Sequence, residues 1–267
     1  MSRVSVTFEN HIAFVTLTRA DKMNAVDQDM IDAVIAAGQQ VAASDARCVV
    51  LSGEGKAFCA GIDLSGLSGM IGEDPAELLV PRTHGAVGDG ENTTNQWQEV
   101  AMVWSRMDIP VIAALHGVCF GAGIQLALGA DIRIAAPGTK LAVMEMKWGI
   151  VPDMGGMVLL PKLVRTDVLR LLTYTADPID AAQAERWGLV TQIAEDPLAE
   201  ATALATVIAG KSPSAIRAAK RLIGMAEEAG AATVLEAESR VQADLMGKPH
   251  QMEVVAAELG KRRAVFK

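Results

Sequence analysis

Aromatic residues are scarce in this chain of 267 residues: they make up 4% of it, although 51% of the residues are hydrophobic. An interior with so few rings has to be filled by aliphatic side chains and alanine. That fits a globular protein and excludes a disordered one. Cysteine is scarcer still. Cys48, Cys59 and Cys119 are odd in number, none belongs to a CxxC pair, and all three have apolar neighbours. They read as reduced, buried thiols of a cytoplasmic protein, not as a disulfide framework. The histidines His11, His84, His116 and His250 are scattered without the spacing of metal ligands. No GxSxG elbow occurs, which argues against a serine hydrolase. Basic charge is short as well. A net charge of −8 argues against a duplex nucleic-acid binder, which would carry a basic face. Arg3, Glu9 and Arg19 interrupt the N-terminal stretch, so no signal peptide is expected.

One long run lacks charge altogether, from Ile109 to Ala130, and it is long enough to span a bilayer. Pro110, His116, Gln125 and glycines 117, 121, 123 and 129 break it up, so a buried strand, a glycine loop and a buried helix explain it better. Around it, Val4–Phe8 and Ile12–Leu17 read as strands joined by a turn at Asn10. Asn24 and Asp27 open a helix whose apolar positions Ile31, Val34, Ile35 and Val41 follow helical spacing. Strands are expected at 48–51, 111–115, 132–135 and 141–143, and a helix around Trp97–Met107. Ser65 to Asn95 reads as a variable loop. Helices begin near Met157, Asp167, Ala181 and Leu198, and from Pro213 onward the chain reads as helical throughout. Interleaved strands and helices followed by helices alone predict an α/β core over 1–200 and a C-terminal helical region over 201–267.

Three segments concentrate glycine and polar residues at strand ends. In the first, Gly55 to Leu64, Gly61 permits a turn that frees backbone N–H groups to face a ligand; an ordinary tight turn is the plainer alternative. In the second, His116 to Gly123 runs into Ile124-Gln125-Leu126. Glycines just before a helix leave its first N–H groups unsatisfied, which suits a developing negative charge. A dinucleotide fingerprint fits poorly, because Leu126 stands where the third glycine belongs. His116 reads as a hydrogen-bonded loop residue and not as a base. The third segment, Glu145 to Gly156, holds two carboxylates in apolar company, Glu145 and Asp153. Such surroundings favour the neutral acid, which suits proton transfer. The alternatives are a helix cap for Asp153 and an ion pair with Lys147 or Arg133 for Glu145.

At these segments the sequence resembles the crotonase (enoyl-CoA hydratase/isomerase) superfamily. The resemblance runs over nearly the whole chain, through Thr18 to Ala25, Ala57 to Leu64, Pro110 to Gly123, the Gly149-to-Gly156 turn, Ala181 to Val190 and Ser212 to Lys220. It implies a crotonase-like spiral of β-β-α turns with a C-terminal helical region that mediates homotrimers or dimers of trimers. It implies an acyl-CoA thioester as substrate, with no other cofactor, no metal, no nucleic acid and no membrane. The thioester oxygen would accept bonds from the N–H groups of Ile62 and Ala122, the latter at a position that is usually glycine. Met23, Ala25, Ala60, Asp63 and Leu64 would line the CoA.

The catalytic positions depart from the family pattern. Hydratases of the family carry two glutamates; the second matches Glu145, and the first is Gln125 here. Dienoyl-CoA isomerases carry an aspartate that Asp153 matches, but their third acid would again fall at Gln125. The resemblance therefore implies proton shuttling by Glu145 and Asp153 to move a double bond of an enoyl- or dienoyl-CoA. Hydration, with Glu145 activating a water that Gln125 orients, is the alternative. A non-catalytic acyl-CoA binder is a further one.

Overall fold

The computed structural model describes residues 2–64, 79 and 94–266. The loop expected over Ser65–Asn95, and with it the acyl end of a pocket, lies outside the described residues apart from 79, 94 and 95.

Strands β1 (Val4–Glu9) and β2 (Ile12–Leu17) pair antiparallel from Val4 opposite Leu17 to Glu9 opposite Ile12. Asn10 and His11 between them both take positive φ, 51° and 62°, the backbone of a two-residue hairpin turn. Helix α1 (Gln28–Ala42) starts at Asp27, whose Oδ1 accepts the Met30 N–H at 2.9 Å. Such a cap contributes about 1 kcal/mol. Asn24 opens no helix. It is fully buried at φ 54°, and its side chain bonds the backbone of residues 19, 54 and 57 instead. Asparagine tolerates this left-handed conformation better than most residues do.

Strand β3 (Cys48–Gly53) lies parallel to β2, β4 (Val111–Leu115) to β3, β6 (Ile132–Ala135) to β4, and β9 (Gln192–Ile193) to β6. In this six-stranded sheet the central strands β3 and β4 are buried on both faces, which is why they are largely apolar runs. Along β3, Val49 and Leu51 enter one core; Cys48 and Val50 enter the other. Helix α2 (Gln96–Ser105) supports the first core with Val100, Val103 and Trp104 and begins with a capping box at Asn95 and Gln98. Helix α7 (Pro197–Ala209) covers the second face with Ala201, Ala205 and Ala209, a stripe of small side chains four residues apart. It thus packs on the sheet while crossing residue 200, where the helical region was expected to begin.

A smaller sheet orders β5 (Val118–Phe120), β7 (Lys140–Ala142) and β8 (Ile179–Asp180). Strand β5 lies inside what the sequence suggests is only a glycine loop; three residues between glycines are too few to show alternation. Helix α3 (Ala122–Leu128) follows directly. The charge-free run is thus β4, β5 and α3, and among the described residues no helix is long and apolar enough to cross a membrane. Short helices α4 (Gly156–Leu159), α5 (Thr166–Thr175) and α6 (Ala181–Trp187) precede α7. Helices α8 (Pro213–Ala226), α9 (Ala231–Leu245) and α10 (Pro249–Leu259) complete the chain. Those last three bury little: Ile223, Leu235, Met252 and Leu259 are all exposed.

Gly117 shows how tightly the loops are packed. It takes φ 63°, and a Cβ there would come 1.9 Å from the Lys56 carbonyl oxygen. Gly117→Ala is expected to destabilise the protein by about 2 kcal/mol or more, read as a lower urea midpoint with an unchanged slope.

Candidate active site

The segments that sequence reasoning singled out lie side by side. The Phe58 N–H donates to the His116 carbonyl at 2.9 Å, Cys59 N–H to Val118 at 3.2 Å, and Phe120 N–H back to Cys59 at 3.1 Å. Cys59 and Cys119 are thereby paired in parallel register. Ile62 and Ala122 each stand three residues further on. A Cβ on Gly61 would touch the Phe120 oxygen at 2.9 Å and come within 3.9 Å of the Ala122 nitrogen, so the two chains run in close contact up to these residues.

The direction of the two N–H groups follows from peptide planarity. The Gly61 carbonyl accepts the Val26 N–H at 2.8 Å. The Ile62 N–H shares that trans peptide and points the opposite way, off the Val26 edge. Gly61 reaches this geometry at φ 100°. At the second segment the Gly121 carbonyl accepts from Gln125 N–H at 3.1 Å inside the first turn of α3. The Ala122 N–H, first in the helix, has no carbonyl ahead of it in α3 and points out of the helix start. Ala122 lies within α3, and the positive-φ turn before it is made by Gly121 at φ 49°.

Glu145 begins a single 3-10 turn, Glu145–Trp148, and is 5% exposed. Its Oε1 accepts the Gln125 amide at 2.6 Å and would lie 3.5 Å from a Cβ on Gly121, so the carboxyl sits against the turn that frees Ala122. Its Oε2 is buried and has no hydrogen-bond partner among the described residues. Burial raises the Glu145 pKa, and the charge of Asp153 adds to the rise; its own N–H and the Gln125 amide act in the opposite sense. Arg133 does not pair with it. That guanidinium is buried and donates to the Leu189 and Ala130 carbonyls at 2.7 and 2.6 Å. Among the described residues Glu145 forms no ion pair.

Gln125 is 1% exposed and links Glu145 to the turn that follows Asp153. Its Oε1 accepts the Met154 N–H at 2.8 Å and the Gly156 N–H at 3.0 Å, while its amide nitrogen donates to Glu145. Gln125 therefore caps helix α4 from outside. Asp153 makes no such cap: the N-cap position is Gly155, and among the described residues the bond to the first helical N–H comes from Gln125. Asp153 stands at the exposed rim beside Met154, and loss of hydration raises its pKa too. The remaining expected residues line a neighbouring edge. Ala60 N–H donates to the Met23 carbonyl at 2.9 Å, Met23 and Leu64 are exposed, and Ala25 is half-buried. The Asp63 carboxylate is held by Arg19 at 2.6 Å. Arg19 carries no candidate role in the sequence reading; an arginine and an aspartate far apart in sequence leave no local signal. His116 bonds the Gly55 carbonyl at 3.1 Å, as a loop residue would. All three cysteines are free and buried, and burial pushes the Cys48 and Cys59 thiols up to about 12. No metal-ligating cluster occurs among the described residues.

A buried carboxyl with one oxygen unpartnered among the described residues marks a functional-site candidate. The chain is a member of the enoyl-CoA hydratase/isomerase family, the crotonase superfamily: the family model for enoyl-CoA hydratase/isomerase matches residues 7–267. It is 35% identical over 218 residues to the probable enoyl-CoA hydratase EchA14 of Mycobacterium tuberculosis, covering 81% of this chain and 79% of that one. It is 31% identical over 261 residues to 1,2-epoxyphenylacetyl-CoA isomerase of Escherichia coli, covering 97% and 95%. The crystal structure of an enoyl-CoA hydratase from Bacillus anthracis superposes with a TM-score of 0.87 at 28% identity, over 99% of both chains.

A buried carboxyl whose pKa is raised in the fold binds a proton more readily folded than unfolded. Its ionisation therefore costs stability as pH rises from the ordinary carboxylate range through the raised value. Glu145→Gln keeps the shape and removes that cost. The variant is expected to melt higher than wild type at neutral pH, with the difference shrinking as pH falls toward the ordinary range, in paired thermal scans.

Proposed function

We propose that this protein moves a double bond within an enoyl- or dienoyl-CoA by proton transfer. The observation that carries the reading is the state of the two side chains at the bottom of the site. Glu145 has one oxygen free and one held, and Gln125 has both lone pairs of its oxygen committed to Met154 and Gly156. Hydration calls for a second group that accepts a hydrogen bond from the attacking water. The Gln125 oxygen is already satisfied, and an amide takes no proton.

In this reading the thioester oxygen accepts the N–H groups of Ile62 and Ala122. One of Glu145 and Asp153, as carboxylate, removes a proton from the acyl chain, and the electron pair left on carbon delocalises onto the thioester oxygen as a dienolate. The other, as neutral acid, returns a proton at a more distant carbon, and the double bond shifts. The carboxyls end with their protonation exchanged, and one proton passed between Glu145 and Asp153, directly or through solvent at the exposed Asp153, restores both. Raised pKa values at both acids suit this task, since each must be neutral for part of the cycle. Each backbone donor is worth about 2.7–4 kcal/mol at the developing oxyanion. Met23, Ala25, Ala60, Asp63 and Leu64 would flank the CoA on the edge beside Ile62. No further cofactor enters these steps. The bare apolar side chains of α8, α9 and α10 fit a homotrimer or a dimer of trimers.

Hydration remains the second reading, because a relative 35% identical carries the name of a hydratase. Purified protein assayed on 2-enoyl-, 3-enoyl- and 3,5-dienoyl-CoA is expected to isomerise and to hydrate slowly. Glu145→Gln and Asp153→Asn should each lower isomerisation by about 10²–10⁴-fold. Rapid hydration of crotonyl-CoA that survives Asp153→Asn would overturn the ranking.

A further inference from the structure

Arg19 spans the hydrogen bond that fixes the peptide carrying the Ile62 N–H. That bond runs from Val26 N–H to the Gly61 carbonyl at 2.8 Å, and it is flanked by Asp63 N–H to the Val26 carbonyl at 2.9 Å. One arm of the Arg19 guanidinium, Nη1, donates to the Ala25 carbonyl at 2.8 Å, immediately before Val26. The other arm, Nη2, meets the Asp63 carboxylate at 2.6 Å, immediately after Ile62. The two side chains of this pair are 11% and 14% exposed, so water screens it weakly. Asp27, held by Arg3 at 2.6 Å, lies 3.4 Å from the same Nη2 and balances the second cation.

The segment that Arg19 braces has a reason to need bracing. Met23 and Asn24 are consecutive non-glycine residues at φ 50° and 54°, a conformation that persists only where neighbours over-determine it. Arg19 is tied into that turn through its own backbone: its N–H donates to Asn24 Oδ1 and its carbonyl accepts the Asn24 N–H, both at 2.9 Å. The turn in turn receives the Ala60 N–H on the Met23 carbonyl and the Cys59 thiol on the Asn24 carbonyl.

We propose that Arg19 is a positioning residue for the oxyanion donor at Ile62, its guanidinium stapling the Ala25 carbonyl to the Asp63 carboxylate across the Val26–Gly61 hydrogen bond. This rests on the reading of Ile62 as a donor to the thioester oxygen. Arg19 touches no reacting atom in this scheme. It sets the angle at which one N–H meets a charge that exists only after proton removal, so it serves the enolate and not the ground-state thioester. Lysine is a poor substitute, because one ammonium does not reproduce a two-armed planar fork.

Acetoacetyl-CoA is a probe that needs no turnover. Its acidic central carbon lets a working pair of N–H donors shift it toward the enolate, seen in the ultraviolet spectrum. Wild type is expected to raise the bound enolate fraction, and Arg19→Lys to lower its enolate-to-keto ratio about tenfold. Binding of saturated butyryl-CoA should change by less than about threefold. On the enolate-to-keto ratio of the bound probe Asp63→Asn should act in the same direction, and the double variant should fall by less than the sum of the two singles, since Arg19 also meets Asp27 and the Ala25 carbonyl. Melting curves taken alongside report folding. A purely structural role would lower the melting temperature and leave the enolate ratio of the folded protein unchanged, and that result overturns the inference. If Arg19→Lys does not fold, Asp63→Asn decides on the same readout. A wild type that polarises the probe fully, with folded variants that do so equally, sinks the role of Arg19 alone. A wild type that leaves the probe as the ketone overturns the donor reading and Arg19 with it.

Discussion

Between residues 58–60 and 116–120 the backbone is hydrogen-bonded edge to edge, with Cys59 in register with Cys119. Everything else at the site is placed by that pairing. Each strand carries a glycine two residues past its cysteine, Gly61 and Gly121, and each glycine turns the following N–H out of the ladder. A shift of one residue in this register would move Ile62 away from Ala122. The neighbourhood leaves no slack for such a shift. Gly123 packs against the Cys59 carbonyl and side chain so closely that a Cβ would meet the oxygen at 2.5 Å. The cysteines are buried among these contacts as small apolar fillers, with thiols held protonated by burial.

The carboxyls are arranged around the same ladder under an electrostatic limit. Two carboxylates in hydrogen-bond contact cannot both be ionised, and one pKa is driven up strongly. With glutamine at position 125 this deep contact holds one titrating group, Glu145, and an amide that donates to it at 2.6 Å. The amide oxygen is used as well, to hold the start of helix α4 beside Asp153. One side chain thus connects the buried acid to the turn that carries the exposed one. Burial dominates the pKa of both acids, and their unequal exposure leaves one sheltered from solvent and the other in exchange with it.

Much of the scaffold is legible in the residues. Alternation and apolar runs mark β1 to β4, Asp27 marks the start of α1, and Pro213 sits in the first turn of α8. Strand β5 is not legible, because three residues between glycines carry no period and gain their ladder from β7 and from the segment at Cys59, both distant in sequence. Asn24 is misread as a helix opener for a related reason. Its capping chemistry is real, but tertiary contacts direct it to the backbone of 54 and 57. Glu145 and Asp153 stand out by composition alone, as acids in apolar company. Which of them would be buried does not.

By itself the sequence determined the family, the longer strands and helices in their order, and the residue types available for chemistry, since these depend on local spacing and on motifs within a few residues. The tertiary structure decided where the two freed N–H groups point, that Gln125 binds Glu145 and the α4 start together, and that Arg19 reaches Asp63. Those outcomes depend on distances between segments far apart in the chain. Hydrogen-bond direction and desolvation are properties of the packed arrangement, and no local pattern encodes them.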